Sequence, residues 1–262
     1  MRALATTEQL RGEPPPDSSM ALNDAIDRRE LRLVFQPVLR LTDGYVVAHE
    51  ALVRRLHPAR GMLTASEIMP YVGGDEALEA VSNWVFTHAC RSMVRATNLG
   101  DRGISVNVAA AEVGAQRLLD RVRTTLAKTG LPAERLGIEI PASALTGAPR
   151  EVVKEIAALR ETGVTVAADG ARPKVTTAKE RSHVDVLKLH PSALDSSGGS
   201  AASAWSRLIK GGLERGVEIV AKGVETTEHL DEARRLGCTL GQGMLLGRPA
   251  RDMVSANWAL RR

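Results

Sequence analysis

The sequence predicts an α/β fold, a (β/α)8 barrel of TIM type in which one strand runs against the others. Three observations carry this. Eight short apolar runs alternate with helical patterns along most of the 262 residues, which is the length and rhythm of such a barrel. The first two runs are joined by the turn signal Thr42-Asp43-Gly44, which makes a hairpin rather than a crossover. Each run carries one polar residue within it or at its end, where a barrel gathers its chemistry. An open doubly wound sheet is the alternative, but it usually opens with a glycine-rich strand-to-helix turn, and none is present.

The elements follow in order. Residues 1–19 are polar and hold Pro14-Pro15-Pro16, the composition of a disordered tail or the end of a linker. The barrel domain is assigned to residues 20–262. Met20 to Arg29 reads as a short amphipathic helix. Leu31 to Gln36 is a strand that Pro37 is expected to end. Tyr45 to Arg54 is the second strand, and a helical region runs from about Ser66 to Ala96. The later strands are Ile104 to Val108, Leu136 to Ile140, Val164 to Asp169, Val184 to Leu189, Val217 to Ala221 and Thr239 to Gly243. Between them lie helices over about Ala111 to Thr129, Pro149 to Thr162, the stretch ending at Glu214, and Thr227 to Leu236. The first of these stops at Gly130 with Pro132 just beyond, a common helix ending. A terminal helix is expected from about Arg251. There is no internal repeat.

Composition excludes several classes. Aromatic residues make up 3% of the chain, too few for the stacking platforms that bind single-stranded nucleic acid. The net charge of +4 comes from interspersed acids and bases, a solvated surface rather than a nucleic-acid stripe. No apolar run is long enough to span a membrane and no signal peptide is visible, so a cytoplasmic location is expected. Cys90 and Cys238 lack metal-ligand spacing and read as buried free thiols.

Glu50 stands in the middle of an apolar strand, Tyr45-Val46-Val47-Ala48-His49-Glu50-Ala51-Leu52-Val53-Arg54. A buried carboxylate needs a partner or a metal. Strand alternation puts Glu50 and Arg54 on one face, so a structural ion pair is one reading. The polar residues of the other strands offer another: Gln36, Asn107, Glu139, Asp169, Lys188, Lys222 and Gln242 converge with Glu50 on one barrel mouth. Glu50, Asn107, Glu139 and Asp169 form an oxygen-only set that suits Mg²⁺ or Mn²⁺ rather than zinc. Such ions typically act on phosphate esters.

These motifs resemble the EAL domain, the cyclic di-GMP phosphodiesterase family. Glu50-Ala51-Leu52 with Arg54 is similar to its signature, Phe35-Gln36-Pro37-Val38 to its first strand, and Ser105-Val106-Asn107-Val108 to its asparagine strand. Val184-Asp185-Val186-Leu187-Lys188-Leu189, Gly223-Val224-Glu225-Thr226, Gly237-Cys238 through Gln242-Gly243, and Arg248-Pro249 continue the match. The resemblance implies a barrel with one antiparallel strand. It implies that Gln36, Arg54 and Gln242 contact cyclic di-GMP, and that Glu50, Asn107, Glu139 and Asp169 hold a metal.

The departures point away from catalysis. The second acid of the glutamate strand is Ala142, the second aspartate after Asp169 is Gly170, and the glycine-threonine-glycine loop is gone. The glutamate that the family uses as general base is Lys222, which leaves Lys188 and Glu225 as remnants of the catalytic set. An ammonium cannot take a proton from water and repels a second dication. One Mg²⁺ or Mn²⁺ is implied at most, and none if Lys222 occupies the site beside Asp169 or Glu139. The expected function is a degenerate, inactive EAL-type domain that serves as a cyclic di-GMP receptor or a protein-interaction regulator, with homodimerisation open. The alternative is a weak phosphodiesterase making pGpG.

Overall fold

A computed structural model describes residues 22–72, 74–114, 116–181, 183–195 and 199–253. The expected tail, 1–19, lies outside these residues, as does nearly all of the expected terminal helix. In chain order the elements are α1 (Leu22–Asp27), β1 (Leu31–Arg40), β2 (Val46–His57), β3 (Gly61–Thr64), α2 (Ala65–Ile68), α3 (Asp75–Arg95), β4 (Gly103–Asn107) and α4 (Arg117–Thr129). They continue with β5 (Leu136–Pro141), α5 (Ala142–Leu145), α6 (Arg150–Glu161), β6 (Thr165–Ala171), α7 (Ala178–Arg181), β7 (Val186–Leu189), α8 (Gly199–Leu213), β8 (Glu218–Lys222), α9 (Thr227–Leu236) and β9 (Leu240–Gln242).

The strands follow the order β1-β9-β8-β7-β6-β5-β4-β2, and β1 also pairs with β2, so the ring closes. Neighbours from β2 and β4 round to β8 and β9 are parallel. β1 is antiparallel to β9, with Leu39 opposite Gly241. The barrel with one reversed strand is thus the observed fold. The turn that reverses the chain is closed by Arg40 N–H to the Tyr45 carbonyl at 2.8 Å, with Gly44 at φ 71°.

The chain divides into two compact units. Among the described residues, the larger comprises Leu33–Leu52 and those from Val85 to Met253, and it holds the barrel. The smaller comprises, among the described residues, 22–32 and Val53–Trp84. In it the end of β2 pairs antiparallel with β3, Arg54 opposite Thr64 and Leu56 opposite Met62. Arg55 and Glu30 form a buried ion pair at 2.9 Å.

The structure departs from the sequence expectations at four places. β1 does not end at Pro37 but runs to Arg40. Phe35 bridges Ala250 and Leu39 pairs with Gly241, so Pro37 falls between ladder positions, where a missing N–H costs little. β3 went unread because four residues, Gly61-Met62-Leu63-Thr64, show too little alternation to mark a strand. The helical region from Ser66 to Ala96 is broken by a 3-10 turn at Met69–Tyr71 that contains Pro70. Likewise α4 starts six residues later than read. Gly114 stands at φ 100°, and a Cβ there would meet Val152 Cγ2 at 2.8 Å. At its other end α4 stops as expected, with Gly130 left-handed at φ 72°.

Strand parity sorts the barrel residues into two sets. Ile104, Val106, Ile138, Ile140, Val166, Leu187 and Ile219 are essentially fully buried and face the helices. The alternate positions face the interior and stack in layers. One layer is Gln36, Glu50, Asn107, Glu139, Asp169, Lys188, Lys222 and Gln242. The layer toward the amino ends of the parallel strands is apolar or small, and five of its members (Val38, Ala167, Val186, Val220, Leu240) form one buried cluster.

Candidate functional site

The polar layer is one hydrogen-bonded system. Lys188, fully buried on β7, is its hub. Its Nζ lies 2.7 Å from Glu50 Oε2 and 2.6 Å from both carboxylate oxygens of Glu139. The Glu50 carboxylate also accepts from Asn107 Nδ2 at 2.6 Å and Gln242 Nε2 at 2.8 Å. Gln36 donates to the Gly247 carbonyl at 3.1 Å and accepts from Gln242 at 3.4 Å. Beside this group, Lys222 Nζ sits 2.6 Å from Asp169 Oδ1, both side chains 26% exposed.

The charges explain the proton affinities. Burial pushes the Glu50 carboxyl up, but Lys188, Lys222 and the hydrogen bonds outweigh it and bring the group down to about 2. Glu139 has fewer donors. Burial and the charge of Glu50 outweigh Lys188, so its carboxyl is raised above the ordinary 4.5. Burial lowers Lys188, but Glu139, Glu50 and Asp169 more than restore it, so it is held above its ordinary 10.5. Glu50 is therefore held as the carboxylate that Lys188 faces, while Glu139 keeps its proton to higher pH than a free carboxyl does.

Eight expected residues come together: Gln36, Glu50, Asn107, Glu139, Asp169, Lys188, Lys222 and Gln242. Of the other two, Arg54 belongs to the smaller unit, where it donates to the Val53 carbonyl at 2.8 Å. Glu225 is exposed in the turn before Thr226, which caps α9. The expected contact between Lys222 and Asp169 is present, and the ammonium at Glu139 is that of Lys188.

Two residues were missed. Ser105 donates to Glu139 Oε1 at 2.5 Å. Its parity with Asn107 on one strand was a usable signal. His190, just after β7, has its imidazole held below its ordinary value by burial and by the cations Arg172 and Lys222. Nothing in its sequence context marks it, because only the fold brings Arg172 and Lys222 to it.

The oxygen donors are of the type a hard divalent ion takes, but this arrangement does not present them to one. Lys188 spans Glu50 and Glu139, Lys222 holds Asp169, and Asn107 turns its N–H side to Glu50. Among the described residues no three of His, Cys, Asp and Glu stand close enough to share an ion. An ion would have to displace Lys222 and turn the Asn107 amide. Chemically, the mouth offers cations and donors suited to an anionic ligand. Gln242 Oε1, buried with no hydrogen-bond partner among the described residues, is an acceptor free for a donor group.

Fold and site together define a class. The EAL domain family matches residues 19–249, and the chain belongs to that family. Among curated proteins, it is 34% identical over 241 residues to an uncharacterized protein of Azorhizobium caulinodans, covering 87% of this chain and 33% of that one. It is 31% identical over 235 residues to the cyclic di-GMP phosphodiesterase NbdA of Pseudomonas aeruginosa, 87% of this chain and 30% of the relative. The chain thus spans about a third of the length of these relatives. Among solved structures, the PaMucR phosphodiesterase in complex with c-di-GMP superposes with a TM-score of 0.80 at 28% identity, over 87% of this chain and 95% of the other. The FimX EAL domain of Pseudomonas aeruginosa bound to c-di-GMP shares the fold, with a TM-score of 0.80 at 20% identity, over 92% of this chain and 99% of that one. No helix among the described residues is long and apolar enough to cross a membrane.

Proposed function

We propose that this EAL domain binds cyclic di-GMP without hydrolysing it and acts as a receptor in cyclic di-GMP signalling. The observation that carries the reading is the contact of Lys222 Nζ with Asp169 Oδ1 at 2.6 Å. Lys188 does not discriminate, since the family's lysine strand is matched. Lys222 does, because it stands where the family keeps its general base and it engages an acid implied in metal binding. Loss of a general base costs about 100- to 10,000-fold in rate, and an ammonium there also opposes a dication by like charge. Gly170 removes a further acid next to Asp169.

Receptor function is supported by what remains. Lys222, Arg172 and the uncharged His190 imidazole present a cationic, hydrogen-bonding mouth to a phosphodiester. Gln36 and Gln242 keep the positions through which the family resemblance implies ligand contact. The relatives NbdA and MucR, named phosphodiesterases, support the ligand class. Divalent metal is not required in this reading, because Lys222 supplies positive charge beside Asp169.

Calorimetry with cyclic di-GMP, with and without Mg²⁺, tests binding, and an assay for pGpG with Mn²⁺ tests turnover. Micromolar binding in both buffers and no pGpG are expected. Absence of heat at high micromolar ligand removes the receptor role and leaves a protein-binding scaffold. Turnover within about tenfold of an intact family member refutes the loss of the base as the controlling defect.

A further inference from the structure

The barrel interior is underfilled below the polar layer. Two residues from each polar side chain, toward the amino ends of the parallel strands, stand Val38, Ala48, Ser105, Gly137, Ala167, Val186, Val220 and Leu240. Ser105 pairs with Gly137 and Ala167 with Val186, while Ala48 pairs with Gly103, two residues before Ser105 on β4, so small residues lie side by side on neighbouring strands. Four adjacent strands, β2, β4, β5 and β6, contribute Ala48, Ser105, Gly137 and Ala167. The other four contribute valine or leucine. A layer that is small on one side and large on the other leaves an off-centre void, where closely packed interiors normally leave none. That void is a cavity of about 220 Å³ lined by these residues and opening past Gly103, Thr165 and Glu218 at the amino-terminal end of the barrel. Ser105, Glu139 and Lys188 form its inner end.

We propose that this cavity is a second binding site, at the end of the barrel away from the polar mouth, for a compact uncharged molecule with an apolar ring and one O–H or N–H donor. Size, lining and charge each restrict the class. An apolar cavity of about 150 Å³ accepts benzene, so about 220 Å³ accepts one ring with a small substituent. The walls Val38, Ala48, Ala167, Val186, Val220 and Leu240 carry no polar side-chain atoms and match an apolar body. At the inner end Ser105 Oγ spends its proton on Glu139 and keeps lone pairs, so it accepts from a ligand donor. Anions are rejected. Asp101, Glu134, Glu139 and Glu218 line the cavity against Arg135 and Lys188, four acids to two bases. A bound ring would rest directly beneath Glu139 and Lys188, so its presence would be felt by the polar layer. This site is independent of whether the mouth takes a nucleotide.

The test uses phenol, toluene and benzoate as probes, with methyl NMR of Val38, Ala48, Ala167, Val186, Val220 and Leu240 as the readout. Phenol at millimolar concentration is expected to shift these methyls. Toluene is expected to bind several-fold more weakly, the loss of about one hydrogen bond, and benzoate not to bind. Ala167→Leu fills the void and abolishes the phenol shifts without lowering the thermal midpoint. Ala48→Val, a smaller insertion, weakens them and serves if the leucine variant fails to fold. Shifts absent with phenol, equal affinity for benzoate, or phenol binding that survives both insertions would each overturn the proposal.

Discussion

Replacing Lys188 by Met should be among the most damaging single changes in the barrel. Lys188 is 2% exposed, and its ammonium lies 2.7 Å from Glu50 and 2.6 Å from Glu139. Methionine fills similar volume but leaves two buried carboxylates facing each other with no shared cation. Breaking a buried pair from one side costs about 3–5 kcal/mol, a large part of the roughly 5–15 kcal/mol that holds a domain folded. At about 2–4 °C per kcal/mol for a domain of this size, the thermal midpoint should fall by roughly 6–20 °C. Two controls isolate the cause. Glu139→Gln alone should be neutral or stabilising, because burial and Glu50 already disfavour its charged form and the amide carbonyl still accepts from Ser105 and Lys188. Added to Lys188→Met, it should recover a large part of the loss. Urea unfolding of the four proteins at pH 7 is the assay. A Lys188→Met variant within about 1 kcal/mol of the parent, or one that Glu139→Gln fails to rescue, refutes the charge argument.

Other outcomes follow from the same structure. Glu50 is held below its ordinary 4.5, so its stabilisation is complete above that pH and is lost as pH falls toward about 2. Glu139 is held above 4.5, so its contribution has the opposite sign, favourable below 4.5 and lost as pH rises through its raised value. From neutral pH down to about 4.5 the parent should therefore gain stability as Glu139 takes up its proton, and Glu139→Gln should lack that gain, measured by urea midpoints over this range. Lys222→Met breaks an ion pair that is 26% exposed on each side, and solvent screening should keep the cost within about 1 kcal/mol by urea titration. Burial pushes the Cys90 and Cys238 thiols up to about 12, so a disulfide reagent at pH 8 should label neither until denaturant is added. Gly243→Ala should unfold the protein or expose Gln242, because a Cβ there would meet the Val224 carbonyl oxygen at 2.2 Å; circular dichroism reads the former and cyclic di-GMP calorimetry the latter.

Much of this protein was legible in the chain alone. Alternation and turn chemistry are local, so eight barrel strands, the opening hairpin and the Gly130 stop of α4 could be read from short windows. One polar residue in or at the end of each apolar run marked Gln36, Glu50, Asn107, Glu139, Asp169, Lys188, Lys222 and Gln242 as converging on one mouth, and the motifs around them led to the EAL family. Breaks that depend on distant neighbours were not legible. Pro37 stays within β1 only because the ladder leaves a gap there, and α4 starts late because Gly114 approaches Val152.

The charge pairing within the site was also beyond the sequence. Parity shows that two lysines and three acids face one interior, but register and strand order decide which cation meets which carboxylate. Lys188 on β7 reaches across the barrel to Glu50 on β2, and Lys222 on β8 meets Asp169 on β6. Pairing energy falls with separation and depends on burial, and both are set by closure of the ring. The void beneath Glu139 arises in the same way. Ala48, Ser105, Gly137 and Ala167 are unremarkable in their own strands and become a cavity wall only when four strands stand side by side.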